Sequence, residues 1–164
     1  MDMKFIVDIN VGKLAKWLRI MGYDALLFQG KDDGDMVKIA LRQDRIILTK
    51  DTGIMRRRLV TGGKLKALLI EGENSELQIQ QVADTLGLDF YFNPFSICLE
   101  CNERLIETGK DSLERSVPPY VYKTYDFYMQ CPSCRRVYWR GTHWEATSRK
   151  LDEFAANKIP PGLT

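Results

Sequence analysis

The cysteines constrain this chain more than any other feature. There are four, and they fall as two CxxC pairs, Cys98-Leu-Glu-Cys101 and Cys131-Pro-Ser-Cys134. A CxxC turn brings two thiolates together from one tight knuckle, and a second knuckle completes the tetrahedron that Zn²⁺ favours. Here 29 residues, 102–130, separate the knuckles. A disulfide framework and a redox pair are the competing readings. A redox CxxC belongs at a strand-to-helix junction and has no use for a second pair, whereas both pairs lie in an irregular stretch. Cys98, Cys101, Cys131 and Cys134 are therefore expected to hold structural zinc, in a module too small to fold without it.

The half of the chain before the cysteines reads differently. Residues Lys4–Asp8 form a short apolar run ending in a carboxylate, and Val11, Leu14, Ala15 and Leu18 then recur at the spacing of one helical face, closed by Gly22. A second apolar run over 25–28 leads through the polar loop 29–34 into a helix with Met36, Ile39 and Ala40 inward. A third run, 45–49, precedes a short helical segment around Ile54, Met55 and Leu59, the Gly62-Gly63 turn and a fourth run over 67–70. Ser75-Glu-Leu-Gln78 has the form of a capping box. The helix it opens carries Ile79, Val82, Ala83 and Leu86 on one face and ends at Gly87.

This alternation is the signature of a parallel sheet with helices on its faces. The expected fold is α/β: a three-layer α/β/α domain with a parallel sheet over 1–93, a zinc ribbon over 94–145 and a C-terminal helix or tail over 146–164. Near Phe92-Asn-Pro-Phe95 the helical periodicity stops, and five of the seven tyrosines lie between Tyr120 and Tyr138. Residues 144–156 are expected to form a final helix packing back on the first domain.

Hydrophobic content of 45% and charged content of 28% argue against wholesale disorder. A net charge of +2 identifies no partner, so nucleic acid would have to meet local clusters. No apolar run approaches the ~20 residues of a membrane span. The N-terminus, with an acidic second residue and a short apolar run, is unlike a signal peptide. A cytoplasmic location is expected, where thiols stay reduced.

In a parallel sheet, side chains at the carboxyl ends of the strands project into a crevice. Asp8 ends the first strand, Asp51 follows the third by two residues, and Asp33 opens the second helix with Asp32 and Asp35 beside it. Carboxylates gathered in one place repel, and a divalent cation relieves that repulsion. Mg²⁺ and Mn²⁺ prefer hard oxygen ligands and commonly retain water, which suits hydrolysis of a phosphodiester. The plainer reading is that such aspartates cap helices or start turns, and Asp32 and Asp35 fit it. Asp8 fits it less well, because burying a carboxylate at the end of an apolar strand is costly without a partner.

Phe5-Ile-Val-Asp8, then Gly12-Lys-Leu-Ala-Lys-Trp-Leu-Arg19 with Met21-Gly-Tyr-Asp24, then Asp33 with Met36 to Ala40, then Ile47-Leu-Thr-Lys-Asp51, taken in that order with the four cysteines, resemble the PIN-like ribonuclease domain of the Mut-seven C-terminal family. The resemblance runs on through Gly141-Thr-His-Trp144. It implies a PIN-like fold joined to a zinc ribbon, and a metal-dependent ribonuclease in which Asp8, Asp33 and Asp51 hold one or two Mg²⁺ or Mn²⁺ ions. PIN domains usually present a fourth acidic residue, for which Asp35 or Asp32 is the candidate. Asn10 is a candidate to orient a ligand water or to cap a helix.

Lys50, Arg56, Arg57 and Arg58 flank Asp51, and Lys13 and Lys16 share one face of the first helix. Lys13, Lys50, Arg56 and Arg57 are expected to position RNA phosphates, and Lys16 and Arg58 to be solvated charges. Arg135, Arg136 and Arg140 are interleaved with Tyr138, Trp139 and Trp144, a mixture suited to single-stranded RNA or to filling the small core of a ribbon. His143 is the only histidine. Four thiolates leave zinc no need of it, so an interface or RNA contact is expected. The expected function is metal-dependent RNA hydrolysis, with the ribbon assisting fold and substrate binding. The alternative is a non-catalytic RNA-binding or adaptor module; no protein partner is indicated.

Overall fold

Four short apolar runs become the parallel strands β1 (Lys4–Asp8), β2 (Asp24–Phe28), β3 (Ile46–Thr49) and β4 (Ala67–Leu69). The computed structural model describes residues 2–159, so residue 1 and residues 160–164 of the expected tail lie outside the described residues. The strands are ordered β2-β1-β3-β4. Phe5 and Val7 of β1 share one face with Ile46 and Leu48 of β3, while Ile6 and Ile47 point the other way. Both faces are covered, which is why these strands read as unbroken apolar runs.

On the first face lie α1 (Lys13–Ile20), α5 (Ser75–Leu86) and α7 (Thr142–Ala156), through Leu14, Leu18, Ile79, Val82, Leu151 and Phe154. On the second lie α2 (Asp33–Gln43), α3 (Thr52–Met55) and α4 (Arg58–Thr61), with Met36, Ala40 and Ile54 buried against Ile6 and Ile47. This is the three-layer arrangement expected. The final helix starts at Thr142, two residues before the expected 144, and Phe154 packs against Trp17 and Phe90. Among the described residues no helix is long and apolar enough to cross a membrane.

The capping box expected at Ser75 is displaced by one residue. Asn74 is the N-cap of α5, its side chain accepting from the Leu77 amide at 3.0 Å, while Gln78 Nε2 donates to the Gly72 carbonyl. The reason is tertiary: Ser75 Oγ accepts the Trp17 indole N–H at 3.3 Å, an acceptor that a packed tryptophan needs. Val11, placed in the first helix by its spacing, lies instead in a 3₁₀ turn over Ile9–Val11 and is still buried.

The ribbon is a small antiparallel sheet, β5 (Ile106–Glu107), β6 (Met129–Gln130) and β7 (Val137–Tyr138), in the order β5-β6-β7. Between β5 and β6 sits an insertion containing α6 (Pro119–Thr124), packed around Leu113, Val117, Val121 and Tyr128.

The first knuckle is built into the edge of the large sheet. An edge strand presents unpaired backbone groups, and on β2 Asn102 answers them: the Ala25 amide donates to Asn102 Oδ1 at 2.9 Å and Asn102 Nδ2 donates to Asp24 Oδ1 at 2.6 Å. Arg45 Nη1 donates to the same Asp24 oxygen at 2.7 Å. Buried Arg19 donates to the Ala25 carbonyl and to the Leu99 carbonyl between the two knuckle cysteines. Gly22, at φ 94°, lets the chain return here, since a Cβ would sit 2.2 Å from the Asn93 carbonyl oxygen.

Asn102→Ala leaves the Ala25 amide without its acceptor and is expected to destabilise the protein by roughly 1–3 kcal/mol. An unchanged urea midpoint would count against this account of the joint. Burial raises the Asp24 carboxyl, but hydrogen bonds from Arg45 and Asn102 outweigh it and hold the group below its ordinary value. A folded value below the unfolded one contributes stability above about pH 4 that is lost as pH falls through the folded value, so the joint weakens only in acid.

Candidate functional site

From β1 the chain moves to β2 on one side and then to β3 on the other, so the strand order reverses between β1 and β3. The crevice at their carboxyl ends is where such sheets bind ligands. Asp8 is the last residue of β1 and Thr49 the last of β3. Thr49, fully buried, donates through Oγ1 to Asp8 Oδ2 at 2.7 Å and accepts from the Asp51 amide at 3.0 Å. One hydroxyl thus fixes Asp8 and the backbone of Asp51 together.

Asp33 comes to the same end of the sheet at the start of α2. Burial raises its pKa, a hydrogen bond with the Asp51 carboxyl and the charges of Asp51 and Asp8 raise it further, and Arg57 opposes them. All three expected aspartates are therefore neighbours. They converge less tightly than the thiols do: among the described residues, the four cysteines are the group whose ligand atoms all lie within 4.8 Å of one another. The donor set is chemically of the kind a hard divalent ion takes, carboxylate oxygens at the end of a sheet with Asp8 and the Asp51 backbone fixed by Thr49.

The remaining candidates have separate duties. Asp51 Oδ1 also accepts from the Gly53 amide at 2.7 Å and caps α3. Asp32 caps α2 by accepting from the Gly34 amide at 2.8 Å, and Asp35 is exposed in the first turn. Asn10 is not a helix cap; its Oδ1 accepts from the Lys50 amide at 3.4 Å and ties the turn after β1 to the end of β3. Lys13, Lys50, Arg56 and Arg57 are all exposed, with Lys50 between Thr49 and Asp51 and Arg57 acting on Asp33. Thr49 was not singled out in the sequence. Its only signal is a hydroxyl ending an apolar strand two residues before an aspartate.

The two knuckles have the same backbone design. The Cys98 amide donates to the Glu103 carbonyl and the Asn102 amide to the Cys98 carbonyl; the Cys131 amide donates to Arg136 and the Arg135 amide to Cys131 at the same offsets. Asn102 and Arg135, each following the second cysteine, are left-handed at φ 63° and 67°. Cys98 Sγ and Cys134 Sγ are 3.7 Å apart, close to the ~3.8 Å edge of a tetrahedron with Zn–S bonds of about 2.3 Å. This cluster suits zinc.

Burial pushes the Cys98 thiol up, but the Tyr138 hydroxyl 3.2 Å away and the Glu100 and Cys101 amides outweigh it and bring it down to about 7. Contact with Cys134 pushes Cys101 up to about 12. Burial lowers Arg19, whereas Cys98, Glu100, Cys101 and Asp24 hold its charge in place. That cation would offset the net negative charge of a zinc ion held by four thiolates.

No curated protein matches this sequence. A family model described as the Mut7-C RNAse domain matches residues 3–151. The matched stretch starts just before β1 and ends within α7, so the carboxylates, the cation cluster and both knuckles fall inside it. Its name points to a ribonuclease, and its extent carries the assignment: the chain belongs to the Mut7-C RNAse domain family.

Proposed function

We propose that this protein hydrolyses RNA phosphodiester bonds at the carboxyl ends of β1 and β3, with Asp8, Asp33 and Asp51 holding Mg²⁺ or Mn²⁺ and the four cysteines holding structural zinc. The observation that carries the reading is the Thr49 bridge between Asp8 and Asp51 at the point where strand order reverses. A divalent ion bound there would activate water and offset charge developing on the phosphate.

The chain's own residues prepare that site. Thr49 fixes the Asp8 carboxylate by donating to Oδ2. Asp51 has one oxygen held by the Gly53 amide. Asp33 stands beside Asp51 and Asp8, whose charges add to the burial that raises its pKa. Lys50 and Arg57, with Lys13 and Arg56 nearby, supply charge to hold the phosphates of an approaching strand. Cleavage of a mixed single-stranded RNA pool in Mn²⁺ or Mg²⁺ tests the reading, and the absence of any metal-dependent product would overturn it.

Thr49→Val keeps shape and removes the hydroxyl. It is expected to lower kcat by roughly 10- to 100-fold, as loss of a group that orients a metal ligand does elsewhere. Thr49→Ser restores most of that loss. Equal rates for the valine variant and the wild type would remove Thr49 from the mechanism.

A further inference from the structure

A second feature lies away from the carboxylates. The ribbon, the α6 insertion, α7 and the end of α1 enclose a cleft of about 860 Å³. Its walls include the rings of Tyr120, Phe127 and Trp144 and the cations Lys16, Arg136 and Arg140. Tyr120 is 69% exposed and Phe127 42% exposed, so these rings are not consumed by a core. Arg140 lies over the Phe127 ring at 5.2 Å and over Trp144 at 5.3 Å, bridging the two sides.

Arg140 is exposed, and among the described residues it has no carboxylate partner. The cleft also contains Glu100 and Asp152, but Asp152 accepts a hydrogen bond from the Tyr91 hydroxyl. Exposed flat rings beside unpaired cations match the bases and phosphates of a single strand, which stack and pair in charge without regard to sequence. A duplex hides its base faces and does not fit.

Helix α1 links the cleft to the proposed site: it follows β1 and the turn after Asp8, and Lys16 and Ile20 on its later turns line the cleft. Lys13, exposed on the same helix, stands one turn nearer the end of β1. The eight residues of α1 span about 12 Å, a distance a few nucleotides can bridge. We infer that this cleft is a binding site for single-stranded RNA, taking bases on Tyr120 and Phe127 and phosphate at Arg140, and that Lys16 leads the strand along α1 toward Asp8. The inference rests on the ribonuclease reading for its ligand class, yet it is a claim about binding that is separable from cleavage.

The test is fluorescence anisotropy of a labelled single-stranded RNA of roughly ten nucleotides. It is titrated with zinc-loaded, full-length protein carrying Asp8→Asn to suppress cutting, and compared with the same protein carrying Arg140→Gln or Tyr120→Ala. Arg140→Gln is expected to weaken binding on the order of tenfold and to reduce the salt slope by about one. Tyr120→Ala, at a position too exposed to support packing, is expected to weaken binding by roughly five- to a hundred-fold. Affinities within twofold for both variants, or equal affinity for a blunt RNA duplex, overturn the inference. RNA bound through these residues but never cut by the unmutated protein keeps the cleft and sinks the nuclease reading. RNA cut normally yet bound equally by all variants does the reverse.

Discussion

Asp8→Asn is expected to lower metal-dependent RNA cleavage by at least about 10²-fold while leaving the fold intact. Asparagine has nearly the shape of aspartate, and its carbonyl oxygen can still accept the Thr49 hydroxyl that now binds Asp8 Oδ2. What it lacks is charge. Asp8 is 8% exposed and ends the central strand, where an ionised carboxylate is costly to bury unless something offsets it. Removing that charge is therefore neutral or mildly stabilising for folding, and the two effects should separate. Thermal denaturation should give a midpoint at or above that of the wild type, while single-turnover cleavage in Mn²⁺ falls. A variant that cuts at the wild-type rate would show that the carboxylate at the end of β1 does not serve the reaction.

How much of this was legible in the sequence depends on the range of the interaction. The knuckles were legible because a CxxC turn is local, and β1 and β3 because strands buried on both faces leave unbroken apolar runs. Asp8 and Asp51 could be placed at one sheet end because a strand's terminus is visible in its pattern, and Asp33 because it opens the helix that follows β2. Thr49 was not legible, since its meaning arises only when β3 lies beside β1. Asn102 was opaque for the same reason: the residue after a knuckle becomes the cover for an edge strand 77 residues earlier. The shift of the α5 cap from Ser75 to Asn74 follows from Trp17, 58 residues away. α6, with six residues, carries less than two turns of periodicity. The cleft beside it draws its walls from Lys16 to Asp152, so no window of sequence contains it.

Removing zinc should unfold the ribbon and, through Asn102, loosen one edge of the large sheet. The three ribbon strands have two residues each, and the core beneath them consists of Cys98, Leu105 and Cys131, with Met129 and Tyr138 against it. Two of those three core residues are the proposed ligands. Apolar burial this small cannot offset the entropy of holding both knuckles closed, whereas structural zinc contributes on the order of 10 kcal/mol.

Chelation, followed by hydrogen exchange, should therefore strip protection from the amides of Cys98, Asn102, Cys131 and Arg135, which now close the knuckles. The Ala25 amide is the informative reporter, because its acceptor is the Asn102 side chain rather than another strand. It should lose protection together with the knuckles, while Ile6 and Ile47, in the strands β1 and β3 at the sheet centre, keep theirs. Proton competition should act in the same direction: thiolates must be free of protons to bind zinc, so affinity falls as pH drops. Protection unchanged at Asn102 after the metal is gone would mean that the ribbon folds by packing alone. Loss at Asn102 with Ala25 still protected would mean that the edge of the sheet stands without the ribbon, and the Asn102 bridge would then be a consequence of docking rather than its cause.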